Sequence, residues 1–116
     1  MNIRNIIKES IDNVVFEKEV YQSVDRAALK HLCHTKETNY KAMQNDNPAP
    51  MPDVDLAVKC GRFVKYPEID VYDMANCYDA IINAIDVLSN RPNDGVFKIM
   101  LVYEDGRSKL IGEVRL

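Results

Sequence analysis

A chain of 116 residues is the size of one ordinary domain and long enough to bury a core. Apolar residues at 47% and charged residues at 28% sit near globular averages, which excludes a chain disordered throughout. The formal charge of −3 disfavours a general nucleic-acid binder, whose positive footprint must displace counterions from phosphate.

Cys33, Cys60 and Cys77 are too few, and odd in number, for a secreted disulfide scaffold. No run approaches the roughly 20 apolar residues needed to cross a bilayer. The N-terminus, MNIRNIIKES, lacks the continuous apolar stretch of a signal peptide. The expectation is one domain over residues 1–116, reduced and cytoplasmic, with no membrane partner.

From Asn2 to about Val15, Ile3, Ile6, Ile7, Ile11, Val14 and Val15 recur at helical spacing opposite a polar side. A second helical pattern runs from Glu17 to about Met43 through Val20, Val24, Ala27, Ala28, Leu32 and Cys33. Ser23 offers an N-cap at which this pattern restarts, so one bent helix and two helices both fit. The polar stretch from His34 to Lys41 weakens the helical pattern and reads as a loop or a frayed end. Residues 2–43 thus form a helical first part.

Residues 44–53, QNDNPAPMPD, hold three prolines that remove backbone donors, and read as a loop. The mixed part, 54–116, begins ambiguously. Val54, Leu56, Val58 and Cys60 alternate with Asp55, Ala57 and Lys59 as in a strand, while Asp53 and Gly61 suit the two ends of a short helix. A short helix or turn is the reading adopted, followed by a strand over Arg62 to Tyr66 that Pro67 stops. Val71 to Leu88 is the clearest helix, with Asp70 as its N-cap.

Asp105-Gly106 between two β-rich runs is the strongest short-range hairpin signal. A two-residue turn there sets Leu101 opposite Leu110, Met100 opposite Ile111 and Lys98 opposite Glu113. Phe97, Ile99, Leu101, Tyr103, Leu110 and Val114 then share one side. Glu104 would face Arg107 as an ion pair. An isolated hairpin is marginal in water, so helices must cover it. The fold class predicted is α+β: two to three helices packed on a small antiparallel sheet that ends in a C-terminal β-hairpin.

Chemistry-bearing clusters are sparse. His31, Cys33 and His34 have metal-ligand types, but a structural zinc site needs four ligands and no C-x-x-C is present. Cys33 and Cys77 fit packed thiols better than nucleophiles. Asp53 with Asp55 and Asp70 with Asp73 fit caps and solvated loops better than a Mg²⁺ site. No phosphate loop and no hydrolase or metalloprotease motif occurs. No cofactor and no catalytic residue is therefore predicted.

The most suggestive cluster is basic and aromatic. Arg62, Lys65, Tyr66, Arg107 and Lys109 form a candidate ligand-binding set if their strands adjoin, within one chain or across a homodimer. Three functions follow in order. The first is a small non-catalytic binding protein, a regulator, inhibitor or adaptor acting through a surface on a partner protein. The second is a protein that sequesters or senses an anionic small ligand such as a nucleotide. The third is a metal- or thiol-dependent enzyme built on His31, Cys33, His34 and Cys77.

Overall fold

The computed structural model describes residues 17–116, and the helix expected over Asn2 to Val15 lies outside the described residues. Residues 17–23 are helical (α1) and are followed by α2, Arg26–Gln44. Two strands, β1 (Val54–Cys60) and β2 (Phe63–Lys65), precede α3, Met74–Ser89. The chain ends in β3 (Val96–Tyr103) and β4 (Ser108–Arg115). All strands are antiparallel neighbours in one sheet of order β2-β1-β3-β4, an α+β fold.

The pleat sorts the side chains. Val54, Leu56, Val58, Phe97, Ile99, Leu101 and Val114 point to the face covered by the helices and are at most 4% exposed. They pack with Leu29 and Leu32 of α2 and with Ile81, Ile85 and Leu88 of α3 in one core. On the opposite face, Lys59 and Lys98 are exposed and Met100 and Val102 are half-buried. Helices therefore cover one side of the sheet, the two-layer arrangement that stabilises a hairpin too small to stand alone.

The break between α1 and α2 falls at Val24 and Asp25, and the N-cap is Asp25 rather than Ser23. Its Oδ1 accepts from the Ala28 amide at 3.2 Å, and its own amide donates to the Ile111 carbonyl at 2.7 Å. The cap thus stitches the helix start to β4. Likewise Asp73, not Asp70, caps α3, accepting from the Asn76 amide at 2.8 Å.

The stretch from His34 to Lys41, expected to be a loop or frayed end, is helix throughout. Thr35 and Asn39 are buried and Lys36 is half-buried against the rest of the structure, while His34, Glu37 and Lys41 stay exposed. Lys36 reaches Asp53 at 2.9 Å and Asp55 at 2.6 Å. Asn39, only 6% exposed, donates to the Met51 carbonyl at 3.0 Å and accepts from the Met51 amide at 3.2 Å. This paired contact pins the proline-rich loop to the helix. Asn39→Leu removes both bonds and should cost about 2 kcal/mol, with faster hydrogen exchange at the Met51 amide as the local readout. Unchanged exchange at Met51 would contradict that role.

Residues 54–60 are strand, correcting the short helix or turn expected there. The Asp53 carboxylate is engaged with Lys36 instead of capping a helix. Gly61, with φ of +58°, opens a two-residue turn that pairs Cys60 with Phe63. Glycine at the first central position is the pattern of a type II′ hairpin. The strand alternation prevails because β1 lies inside the sheet, between β2 and β3.

The C-terminal hairpin is present with a revised turn. Tyr103 pairs with Arg107 through a 2.8 Å amide-to-carbonyl bond, leaving Glu104, Asp105 and Gly106 as a three-residue loop with Gly106 at φ +90°. Val102 therefore faces Ser108, Leu101 faces Lys109 and Met100 faces Leu110. A bulge between Ile99 and Met100 then restores the predicted pairs Ile99–Gly112, Lys98–Glu113 and Phe97–Val114. Leu110 turns outward at 51% exposure and Ile111 inward at 4%. Arg107 bonds Asp105 at 2.6 Å rather than Glu104.

Candidate functional site

The sheet order separates the predicted binding residues. Arg62, Lys65 and Tyr66 lie along or beside β2, at one edge, while Arg107 and Lys109 belong to β4 and its turn, at the other. Arg62 and Arg107 also sit at opposite ends, because β1 runs from Val54 beside Tyr103 to Lys59 beside Lys98. Arg107 lies 5.6 Å from the Tyr103 ring and is held by Asp105, whose carboxyl is drawn down by the Arg107 amide and guanidinium. Within one chain the five residues do not converge.

Arg62 acquires different company. Its guanidinium stands 5.4 Å from the Phe63 ring centroid, and Arg91, from the turn after α3, stands 5.3 Å from the same ring. Each contact is a cation–π interaction, worth roughly 0.5–1 kcal/mol where exposed. The ring anchors two cations that would otherwise repel. Beside them, Lys59 and Lys98 face each other directly across β1 and β3, on the face opposite α2 and α3. Like charges so opposed disfavour the pairing.

Arg62, Lys59 and Lys98 line a pair of adjoining depressions, and Arg91 precedes Pro92 of the larger one. The larger, about 330 Å³, is lined by Cys60, Gly61, Arg62, Phe63, Pro92, Asn93 and Asp94. The smaller, about 160 Å³, is lined by Lys59, Gly61, Asp94, Val96 and Lys98. Asp94 is the acid among them, and its Oδ1 accepts from the Val96 amide at 3.0 Å and the Cys60 thiol at 3.7 Å. Among the described residues none of Lys59, Arg62, Arg91 and Lys98 forms an ion pair within 4 Å.

Two connections and the sheet pleat build this end. The β1–β2 turn supplies Arg62, the α3–β3 connection supplies Arg91 and Asp94, and strand alternation turns Lys59 and Lys98 outward. Sequence reasoning found Arg62 and missed the other three cations. Gly61-Arg62 between two apolar runs was the signal for the hairpin that positions them.

A second ionic group lies elsewhere. Burial alone would push Lys36 down, yet its hydrogen bonds to Asp55 and Asp53 outweigh that and hold it above the ordinary lysine value. Its ammonium lies 5.8 Å from the Tyr72 ring. This cluster ties α2 to the start of β1 and leaves its lysine fully committed, so it reads as structure.

His31 and His34 are exposed on α2 whereas Cys33 is buried, so the histidines and the thiol diverge. Among the described residues no group of three or more His, Cys, Asp or Glu side chains is placed to hold a metal ion. No helix among them is long and apolar enough to cross a membrane. Comparison with protein-family models, curated proteins and solved structures finds no match to this chain.

Proposed function

We propose that this protein is a non-catalytic binding protein whose recognition surface is the basic end of the sheet, and that its partner is a protein presenting an acidic segment. One observation carries the reading. A chain of net charge −3 gathers Lys59, Arg62, Arg91 and Lys98 at one end, two of them directly opposed, with no ion-pairing acid among the described residues. Such a concentration stores repulsion that an anionic partner relieves, and it steers that partner's approach.

The surface suits a macromolecule better than an enclosed ligand. Small-molecule sites commonly bury most of their ligand. Here Gly61, Arg62, Pro92, Asn93 and Asp94 are all exposed, Phe63 is half-buried, and Cys60 alone is buried. Guanidiniums held over a ring are pre-oriented to meet carboxylates in pairs, which lowers the ordering cost of binding.

A fluorescent acidic peptide, poly-glutamate, tests the reading by titration at several salt concentrations. The double substitution Arg62→Glu with Arg91→Glu should weaken binding at least tenfold and flatten its salt dependence. Charge reversal at Arg107 and Lys109, on the opposite edge of the sheet, should leave binding within twofold. Equal losses from both pairs of substitutions would reduce the effect to overall charge and remove the site. Thermal stabilisation by nucleotides that depends on Arg62 and Arg91 would instead favour a small anionic ligand there.

A further inference from the structure

We propose that Cys33 and Cys77 are a thiol modification site: under a hydroperoxide they join in a reversible disulfide that ties α2 to α3. The two thiols come from different helices, 44 residues apart in sequence, and their Sγ atoms lie 3.3 Å from each other in the core. Formation of the bond requires the sulfurs to close by about 1.2 Å, to the ~2.05 Å of a disulfide. Helix side chains reach that by small χ adjustments and a slight approach of the two helices. Cys33 also touches the Met74 thioether at 4.0 Å, so the pair sits against a polarisable sulfur rather than a charged group.

Burial divides the roles. Cys33 is 8% exposed and Cys77 is fully buried, so the oxidant meets Cys33 first. The Cys33 sulfur takes the terminal oxygen of the hydroperoxide, giving a sulfenic acid and releasing the corresponding alcohol, or water from hydrogen peroxide. Cys77 then attacks that sulfur, the S–S bond forms, and the hydroxyl leaves as water with the Cys77 proton. Two thiols lose two electrons and two protons, and one peroxide O–O bond is reduced.

Burial raises both thiols above the ordinary value, and Asp73 adds to the rise. The first step is therefore slow. The second is intramolecular between groups already in contact, so the sulfenic acid does not accumulate. Cys60 is an internal control: it is buried on β1, its contact is the Asp94 carboxylate at 3.7 Å, and burial raises it too. It has no thiol partner among the described residues.

The full chain, treated natively with hydrogen peroxide and then alkylated after unfolding, decides the matter by mass spectrometry. The expected product is lighter by two hydrogens, carries one alkylated thiol at Cys60, and yields a peptide linking residues 33 and 77. Dithiothreitol should reverse it, and the melting temperature of the oxidised form should rise by about 10 °C because the unfolded chain is cross-linked. Cys60→Ser should behave identically. Three alkylated thiols after treatment, oxygen added at Cys33 without a link, or a link through Cys60 would each overturn the assignment. The mapping uses the unsubstituted protein, so no variant has to fold.

Discussion

Replacing Gly112 with alanine should cost this protein about 3 kcal/mol, although the change adds a single carbon. A Cβ built at Gly112 would stand 2.9 Å from the Ser23 carbonyl oxygen, 3.1 Å from the Val24 Cα and 3.3 Å from the Ser23 carbonyl carbon. All three are backbone atoms, so no flexible side chain can give way. Relief requires the α1–α2 junction to lift off β4, and that stretches the 2.7 Å bond from the Asp25 amide to the Ile111 carbonyl. The cap of α2 is loosened with it.

Urea unfolding should show a lower midpoint at an unchanged slope. Gly61→Ala is the matched comparison, since a Cβ there meets nothing within 4 Å and only its φ of +58° is strained. It should cost about 1 kcal/mol. Equal costs at the two positions would mean that the close approach at Gly112 carries no weight.

The fold was legible where local and tertiary preferences agree. Val71 to Leu88 places Ile81, Ile85 and Leu88 on one helical stripe, and the core uses that stripe. The Asp105-Gly106 signal located the hairpin for the same reason. Legibility failed where partners distant in sequence decide. Lys36 and Asn39 look like solvated helix or loop until residues 51–55 arrive to bond them. Asp53 suits a helix cap until Lys36 takes its carboxylate.

Strand order was beyond reach for a related reason. Nothing local to β2 or β4 says that they occupy opposite edges, yet this placement parts Arg62 from Arg107 and brings it to Arg91. Lys98 was readable as an outward position on the hairpin, whereas Lys59 fell in the stretch read as a short helix or turn. Their direct opposition needs the β1–β3 register, which spans about 40 residues of chain. The candidate site is thus a product of topology rather than of motif.

The sharpest test of the hairpin lies in two adjacent apolar residues. A two-residue turn with no bulge would bury Leu110 and expose Ile111. The three-residue turn and bulge reverse this, leaving Leu110 51% exposed and Ile111 4% exposed. Ile111→Ala should therefore cost about 2–5 kcal/mol, the range for truncating a buried aliphatic side chain. Leu110→Ala should stay within about 0.5 kcal/mol, as at other surface positions.

The pair is informative because intrinsic preference favours the opposite outcome at neither site: both are aliphatic, adjacent and in the same strand. Only the direction of the side chain differs, and a shift of one residue inverts that direction. Urea midpoints of the two variants measure the inversion directly. A larger loss at Leu110 than at Ile111 would restore the simple two-residue register and remove the bulge. The carbonyl that holds Asp25 belongs to Ile111, so that outcome would also displace the contact between α2 and the sheet.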